Sequence, residues 1–200
     1  MKSYPSIPKF LKGLVKLHTF DKLDGSNLRF EWTKKRGWFK FGTRRRLFDE
    51  TDPQFGEAIP IFHRELAEPL AKICVDNRWE KVVVFAEFWG KESFAGYHVD
   101  GDPKRLTVFD VSIHRKGILP PREFLKVFGD FGPEYLGEFN WTPGFIDRVR
   151  QNEVAGVTFE GVVGKNIQKS RIVMYKAKTQ QWIDKVKAKL PDKAQEIISS

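Results

Sequence analysis

An Asp24-Gly25 pair stands between two segments, 14–19 and 26–32, whose residues are typical of β-strands. In the second segment apolar and polar residues alternate, which is the period of a strand with one buried face. Asp-Gly is frequent in tight turns because both residues tolerate the backbone angles that such turns require. We therefore expect a strand, a sharp turn and a second strand, with Lys22 held where the first strand meets the turn.

Strand and helix patterns are interspersed along the rest of the chain. We predict strands at 38–43, 81–88, 106–113, 157–163 and 171–178. We predict helices at 56–74, at 121–128, at 144–151 after an N-cap at Thr142, and to Leu190 after an N-cap at Thr179. The strand at 38–43 continues the first two into a meander, Pro69 is expected to kink or split the first helix, and 96–103 is rich in turn residues. Since strands and helices do not alternate regularly, the pattern indicates an α+β fold of mainly antiparallel sheets flanked by helices. We expect a single domain over 1–200, with a helical tail at 179–200.

The charge balance favours a polyanionic partner. The chain has 200 residues with 35 Lys and Arg against 26 Asp and Glu, a formal net charge of +9 and a pI near 9.6. Such a balance suits nucleic acid, although many basic proteins have no such partner. The hydrophobic content of 40% is sufficient for one sizeable core.

The single cysteine, Cys74, excludes an internal disulfide, and the four scattered histidines do not complete a metal-binding spacing with it. Residues 1–16 are interrupted by prolines and lysines, so they contain no apolar run suited to a signal peptide or a membrane span. We expect a cytoplasmic, intracellular protein with no membrane partner.

Five short motifs lie in order on or beside the predicted strands. They are Lys22-Leu23-Asp24-Gly25-Ser26-Asn27, Phe85-Ala86-Glu87, Phe109-Asp110, Glu160-Gly161-Val162-Val163 and Lys176-Ala177-Lys178. A lysine desolvated at a strand end loses its proton more readily and becomes a nucleophile. Alternation along a strand places Lys176 and Lys178 on one face, where two cations can neutralise a phosphate. A carboxylate among apolar residues, such as Glu87 or Glu160, is costly to bury unless it has a partner or a metal ion.

Together, these motifs resemble those of the covalent nucleotidyltransferases, the superfamily of polynucleotide ligases and capping enzymes. The resemblance is greatest to ATP-dependent RNA ligases of the T4 RNA ligase 2 type. It implies an ATP-dependent enzyme that joins 5'-phosphate and 3'-hydroxyl RNA ends through a lysyl-AMP intermediate and an adenylated 5' end. It also implies ATP and Mg²⁺ or Mn²⁺ as cofactors.

The resemblance further implies a role for individual residues. Lys22 is the nucleophile that carries AMP, Lys176 and Lys178 are catalytic cations, and Glu160 holds the metal and contacts the nucleotide. The other expected nucleotide contacts are Asp21, Asn27, Arg44, Glu87 at the ribose, and Phe109 stacked on adenine. Asn27 favours RNA as substrate, since DNA ligases and capping enzymes usually have arginine there. Asp110 is expected on the strand face opposite Phe109. There it has either a role in the site or, equally, only a structural hydrogen bond.

A basic stretch follows the first motif. One of Arg44, Arg45 and Arg46 matches a family arginine that contacts the nucleotide and the 5'-phosphate end, and the sequence does not say which. If the strand continues, Arg44 and Arg46 share a face. We expect Arg45 and Arg46, with Lys34, Lys35, Arg36 and Lys40, to bind the phosphates of the polynucleotide. A solvated basic sheet edge is the alternative.

Three other functions remain open from the residues alone: a DNA ligase, a GTP-dependent capping enzyme, and a nucleotide-binding module that does not seal. Ligases and capping enzymes of the first two kinds usually add an OB-fold after the last motif, and the 22 positions of 179–200 are too few for one. We therefore expect no OB-fold or other C-terminal domain. Without such a domain, we expect the protein to self-adenylate readily but to seal RNA only weakly or with the help of an accessory protein.

Overall fold

The computed structural model describes residues 1–10, 12–91 and 101–199, which form two compact units. Unit 1 comprises Met1–Tyr4, Gly25–Lys91 and Gly101–Gly132. Unit 2 comprises the described residues of 5–24 and 133–199. Each unit contains one antiparallel sheet, so the predicted α+β class is confirmed. The single domain over 1–200 stays a prediction, and positions 96–100 of the predicted turn segment lie outside the described residues.

Ten strands and six α-helices are defined among the described residues. The strands are β1 Val15–Lys22, β2 Gly25–Thr33, β3 Gly37–Thr43, β4 Leu47–Phe48, β5 Lys81–Trp89, β6 Arg105–Ile113, β7 Gly117–Ile118, β8 Tyr135–Trp141, β9 Gly161–Gln168 and β10 Arg171–Lys178. The helices are α1 Ala58–Glu65, α2 Ala67–Asp76, α3 Pro121–Phe128, α4 Pro143–Arg150, α5 Gln180–Lys189 and α6 Ala194–Ser199. In this part of the chain, no helix has both the length and the apolar composition needed to cross a membrane.

Unit 1 is built on a six-stranded sheet in the order β4-β3-β2-β5-β6-β7. The face of β2 that was predicted to be buried is buried, with Leu28, Phe30 and Trp32 in the core. Arg29 and Glu31 of the opposite face are buried as well, so the prediction of a single buried face is wrong. The ring of Phe30 stacks on Phe62 of α1 with centroids 4.1 Å apart. Burial of such aromatic side chains is the main stabilising contribution of this core.

Unit 2 is built on a four-stranded sheet in the order β10-β9-β1-β8. Its core includes Leu17 of β1 and Trp141 of β8, together with Phe145 and Val149 of α4. The indole N–H of Trp141 donates to the Thr19 hydroxyl at 2.9 Å, so the one polar atom of this ring is satisfied inside the core. A second cluster, formed by Phe159 with residues of α5 and α6, packs the C-terminal helices.

The expected meander is wrong at its first strand. β1 pairs with β8 and β9, whereas β2 pairs with β3 and β5, so Asp24-Gly25 joins two different sheets and is not a hairpin turn. Glycine is required at position 25 because the backbone of Phe88 lies close to it. A Cβ atom there would lie 2.4 Å from the carbonyl oxygen of Phe88. Strand β8 had no sequence signal, because its Gly137, Glu138 and Asn140 have low strand propensity.

Most other predicted elements are confirmed, with two changes of boundary. The helix predicted at 56–74 divides at Leu66 and not at Pro69, which lies in the first turn of α2, where its missing N–H costs no helical hydrogen bond. The strand predicted at 157–163 begins only at Gly161. The hydroxyls of Thr142 and Thr179 accept hydrogen bonds from backbone N–H groups at the starts of α4 and α5, as N-caps do.

Replacement of Gly164 by alanine is expected to destabilise unit 2. A Cβ atom at Gly164 would lie 2.5 Å from Trp141 and 2.7 Å from Leu17, and overpacking of this kind costs about 1–3 kcal/mol. Gly144→Ala is the matched control, since the nearest atom to its new Cβ is 3.9 Å away. Urea unfolding should show a lower midpoint for the first variant only; equal midpoints would contradict the packing described.

Candidate active site

The strand register of unit 2 places three of the predicted lysines on one face of the sheet. Lys22 on β1 and Lys178 on β10 both pair with Gly161 of β9, one from each side. Residues paired directly across neighbouring strands project to the same face, and so do residues two positions apart on one strand. Lys176 therefore lies on the same face as Lys178 and Lys22.

The carboxylate of Glu160 joins two of these lysines. Its Oε2 lies 2.7 Å from the Lys22 ammonium nitrogen, and its Oε1 lies 3.4 Å from that of Lys178. The Glu160 side chain is 6% exposed, so both interactions operate largely out of water. An ion pair with little solvent screening is strong, and loss of one member leaves a buried charge. Glu160 thus fixes the positions of both ammonium groups.

Gly161 keeps the space between Lys22 and Lys178 open. Its φ of +145° is in a region that L-residues rarely adopt, and a Cβ atom would lie 2.1 Å from the carbonyl oxygen of Ala177. The carboxylate of the preceding residue, Glu160, reaches both lysines.

Lys178 is further held by the C-terminal helices. Its ammonium lies 4.1 Å from the centre of the Trp182 ring and donates to the carbonyl oxygen of Ile197 at 3.1 Å. The Trp182 indole in turn donates to Asp24 at 3.1 Å. Cation–π attraction is strongest for tryptophan and for desolvated cations. The sequence identified Trp182 only as a helix residue, since nothing in its spacing indicated contact with Lys178.

Lys176 and Lys178 both have lowered pKa values. The pKa of Lys176 is lowered to about 8, chiefly by burial and also by the charges of Lys178 and Lys22, while Glu160 opposes this shift. Burial also lowers the pKa of Lys178 to about 8, and here the nearby Glu160 opposes the shift while Lys22 adds to it. With a pKa of about 8, both lysines remain mostly protonated at pH 7 and lose their protons more readily than exposed lysines do.

Asp21 holds the segment that leads to Glu160. Its carboxylate accepts hydrogen bonds from the Thr158 N–H at 3.0 Å and the Thr158 hydroxyl at 2.8 Å. Burial raises the pKa of Asp21, and the Thr158 bonds oppose this. The expected nucleotide contact of Asp21 stays a prediction, while its side chain has a clear positioning role.

Glu160 is also the oxygen donor that fits a divalent metal. Within the described parts of the chain, no three of the His, Cys, Asp and Glu side chains are grouped as a complete protein site. Mg²⁺ and Mn²⁺ sites at phosphates commonly use one or two carboxylates, with the substrate and water as the other ligands. Glu160 supplies one such carboxylate, and its two oxygens face Lys22 and Lys178 in this structure.

The remaining predicted nucleotide contacts lie in unit 1. Asn27 of β2 pairs directly with Glu87 of β5, so their side chains share a face. A bulge in β6 lies at Phe109, between Val108, which is opposite Ala86, and Asp110, which is opposite Phe85. The half-buried ring of Phe109 is thus displaced from the regular alternation, as bulges commonly cause.

Tyr4 is the residue of this region that the sequence did not reveal. Its hydroxyl donates to the buried Asp110 carboxylate, and its ring packs on Phe109 and Phe85 with centroids 4.9 and 5.0 Å apart. Phe109 and Asp110 therefore meet the same side chain, and the expectation that they point apart is wrong because the bulge breaks the alternation. The hydrogen-bonding alternative for Asp110 agrees with this contact.

The charges of Arg44 and Glu87 also act on Tyr4. Burial raises the pKa of Tyr4, Asp110 raises it further, and among the smaller effects Arg44 lowers it and Glu87 raises it. Arg44 is therefore near the side chains predicted to bind a nucleotide. Arg44, Arg45 and Arg46 are the same residue type and differ only in their distance from the end of β3 at Thr43. The sequence therefore gave no reason to choose among the three.

The arginines at 44–46 do not alternate as a strand, because β3 ends at Thr43. All three are exposed. Arg46 pairs with Asp52, and this bond lowers the pKa of Asp52 to about 2. The face-sharing argument for Arg44 and Arg46 is thus wrong.

The other predicted nucleic-acid contacts lie at the hairpin between β2 and β3. Lys34, Lys35 and Arg36 are exposed and Lys40 is half-buried. Arg36 lies 4.1 Å and Lys40 5.3 Å from the centre of the Phe39 ring. These positions leave the two lysines of the turn in water, where phosphates can reach them.

The five motifs and their placement agree with one protein family. A family model described as RNA ligase matches residues 17–191, which includes all five motifs. The chain belongs to the RNA ligase family. A comparison with curated protein sequences gives no match.

Solved structures of RNA ligases have the same fold. A Naegleria gruberi RNA ligase with pyrophosphate is similar with a TM-score of 0.63 and 18% identity, over 89% of this chain and 53% of that one. An archaeal ATP-dependent RNA ligase is similar with a TM-score of 0.62 and 18% identity, over 92% of this chain and 50% of that one. A variant of the Naegleria gruberi RNA ligase with ATP and Mn is similar with a TM-score of 0.57 and 18% identity, over 85% of this chain and 51% of that one. This family member thus spans about half the length of these structures.

The free energy of unfolding of this protein should rise with pH because Lys176 and Lys178 have lowered pKa values. Their pKa is about 8 in the folded protein and 10.5 ordinarily, so between these values the unfolded chain binds more protons than the folded one. Raising the pH from about 7 to about 9.5 therefore favours folding, in contrast to a variant that lacks both amines. Urea unfolding should show that the free energy of unfolding of wild type rises with pH relative to that of Lys176→Met/Lys178→Met.

The exposed Lys72→Met variant is the control for the same measurement, since the Lys72 side chain is 74% exposed and its ion pair with Asp76 lies in water. A constant difference between wild type and the double variant across this pH range would contradict the lowered pKa values.

Proposed function

We propose that this protein is an ATP-dependent RNA ligase that forms a covalent lysyl-AMP at Lys22. The observation that carries the proposal is the grouping of Lys22, Lys176, Lys178 and Glu160 on one face of the unit 2 sheet. Family membership and the shared fold support the same reaction. Nucleophile, cations and a carboxylate are then available within one cluster.

In the first step the Lys22 ammonium loses a proton to water, and the resulting neutral amine attacks the α-phosphorus of ATP. A nitrogen–phosphorus bond forms, the bond to the bridging oxygen breaks, and pyrophosphate leaves with the electron pair, while the amine releases a proton to water. The charges of Lys176 and Lys178 favour this step, because they stabilise negative charge that develops on the phosphoryl oxygens. Their partial enclosure strengthens that attraction relative to water.

Glu160 has two roles in the proposal. It orients the Lys22 amine through the 2.7 Å contact, and with the phosphates of ATP it would hold Mg²⁺ or Mn²⁺. The metal would supply charge neutralisation at the phosphoryl oxygens. The Naegleria relatives were solved with ATP and Mn and with AMP and Mn, which supports the same cofactors here.

For unit 1 we propose nucleotide contacts at Asn27, Glu87, Phe109 and Arg44. Asn27 and Glu87 share a face and offer hydrogen-bonding groups for ribose. Phe109 has a half-buried ring suited to stacking on adenine. Arg44 is favoured over Arg46, because Arg46 is already paired with Asp52.

In the later steps AMP is transferred from Lys22 to an RNA 5'-phosphate, and a 3'-hydroxyl then attacks that phosphate and releases AMP. The exposed basic residues Lys34, Lys35, Arg36, Arg45 and Arg46, with the half-buried Lys40, are proposed to hold the RNA through its phosphates. An accessory protein that assists sealing is part of the same proposal.

Formation of lysyl-AMP is tested with ATP labelled at the α-phosphate. With Mg²⁺ or Mn²⁺, label should remain on the denatured protein, and Lys22→Ala should abolish it because the attacking nitrogen is lost. Lys72→Ala, a change at an exposed lysine, should be labelled like wild type. Absence of an adduct in wild type, or an adduct unaffected by Lys22→Ala, would contradict the proposal.

Parallel reactions separate the alternatives. Label from GTP alone would indicate capping chemistry, and sealing of nicked DNA but not nicked RNA would indicate a DNA ligase. Label without any transfer to a 5'-phosphate end would indicate a non-sealing module.

RNA binding should depend on salt and on the hairpin lysines. Lys34→Ala/Lys35→Ala removes two exposed cations, so the slope of log affinity against log salt should become shallower by about 0.7 for each phosphate that the variant no longer neutralises. Fluorescence anisotropy with a single-stranded RNA measures this slope. Lys187→Ala/Lys189→Ala, two exposed positions on α5, should keep the wild-type slope, and an equal change in both variants would refute the assigned RNA-binding residues.

A further inference from the structure

Residues 8–10 lie along the open edge of the unit 2 sheet. β10 is the outermost strand there, and Lys9 forms an isolated parallel bridge with Lys176. The Lys176 N–H donates to the Pro8 carbonyl at 3.0 Å, and the Phe10 N–H donates to the Lys176 carbonyl at 3.2 Å. Phe10 is buried in the core of this unit, which anchors the segment.

This bridge determines where the Lys9 side chain projects. Directly paired residues share a face, so Lys9 lies on the face that carries Lys176, Lys178 and Lys22. Unlike Lys176 and Lys178, Lys9 is exposed. Its charge is among the smaller causes that lower the pKa of both buried lysines, after burial and the nearer charges, so its ammonium is electrostatically coupled to them.

We propose that Lys9 binds the β- and γ-phosphates of ATP and stabilises pyrophosphate as it leaves. This inference rests on the proposed function, since it names a further catalytic residue for that reaction. Across the sheet the order is Lys22 on β1, then β9, then Lys178 and Lys176 on β10, then Lys9. Three strand spacings separate the backbones of Lys22 and Lys9, about 14 Å in total at about 4.7–4.9 Å for each spacing.

The in-line geometry of phosphoryl transfer explains why this position suits the leaving group. The attacking and leaving atoms lie on opposite sides of the phosphorus. With Lys22 attacking from β1 and the α-phosphate held by Lys176 and Lys178, pyrophosphate departs toward the edge where Lys9 lies. The bond from phosphorus to the bridging oxygen breaks, pyrophosphate takes the electron pair, and an exposed ammonium there offsets the added charge. Exposure also lets the product diffuse away.

Lys9→Ala tests the inference through the two directions of adenylation. Removal of one charge-assisted hydrogen bond should raise the KM for ATP, and the KM for pyrophosphate in discharge of preformed lysyl-AMP, by about tenfold or more. Lys9→Arg keeps the charge, so its KM values for ATP and for pyrophosphate should stay close to those of wild type. Lys12→Ala, at an exposed lysine three positions along, should behave like wild type.

The outcomes are distinguishable. If wild type forms no lysyl-AMP, the proposed function fails and this inference falls with it. If wild type forms lysyl-AMP and Lys9→Ala leaves both KM values within about twofold of wild type, a difference of under 1 kcal/mol, the inference alone is overturned. A lower rate of adenylation with an unchanged KM for pyrophosphate would likewise overturn it, since a purely structural effect gives that pattern. Equal thermal midpoints for wild type and Lys9→Ala establish that the fold is intact in the comparison.

Discussion

The interaction on which the site depends is the contact of the buried Glu160 carboxylate with the ammonium groups of Lys22 and Lys178. Three like charges on one sheet face would repel one another strongly out of water, and Glu160 is the counter-charge that makes the grouping stable. The same carboxylate orients the proposed nucleophile. The grouping of the lysines and the proposed chemistry therefore depend on the same residue.

Backbone geometry allows that contact to form. Gly161, at φ +145°, leaves room between Lys22 and Lys178, and the bonds from Thr158 to Asp21 fix the chain just before Glu160. A comparable device is present in unit 1, where the bulge at Phe109 brings it and Asp110 against Tyr4. In both units an irregular backbone position lies next to a side chain with a proposed function, as is common near active sites.

The first ten residues contribute to both predicted sets of site residues. Tyr4 packs on Phe109 and Phe85 in unit 1, and residues 8–10 extend the open edge of the unit 2 sheet at Lys176. These contacts had no sequence signal, because the segment has neither a strand nor a helix period and its partners are far away along the chain. A segment without a motif is thus part of the proposed catalytic apparatus.

The sequence alone determined the elements whose signals are local. Period-two alternation predicted β2, threonine caps predicted the starts of α4 and α5, and the motif order led to the RNA ligase family. Only the tertiary structure decided which strands pair. It assigned β1 and β2 to different sheets, set Gly161 between Lys22 and Lys178, and brought Tyr4 to Phe109. The physical reason is that caps and alternation depend on neighbouring residues, whereas strand pairing and side-chain packing depend on contacts between distant ones.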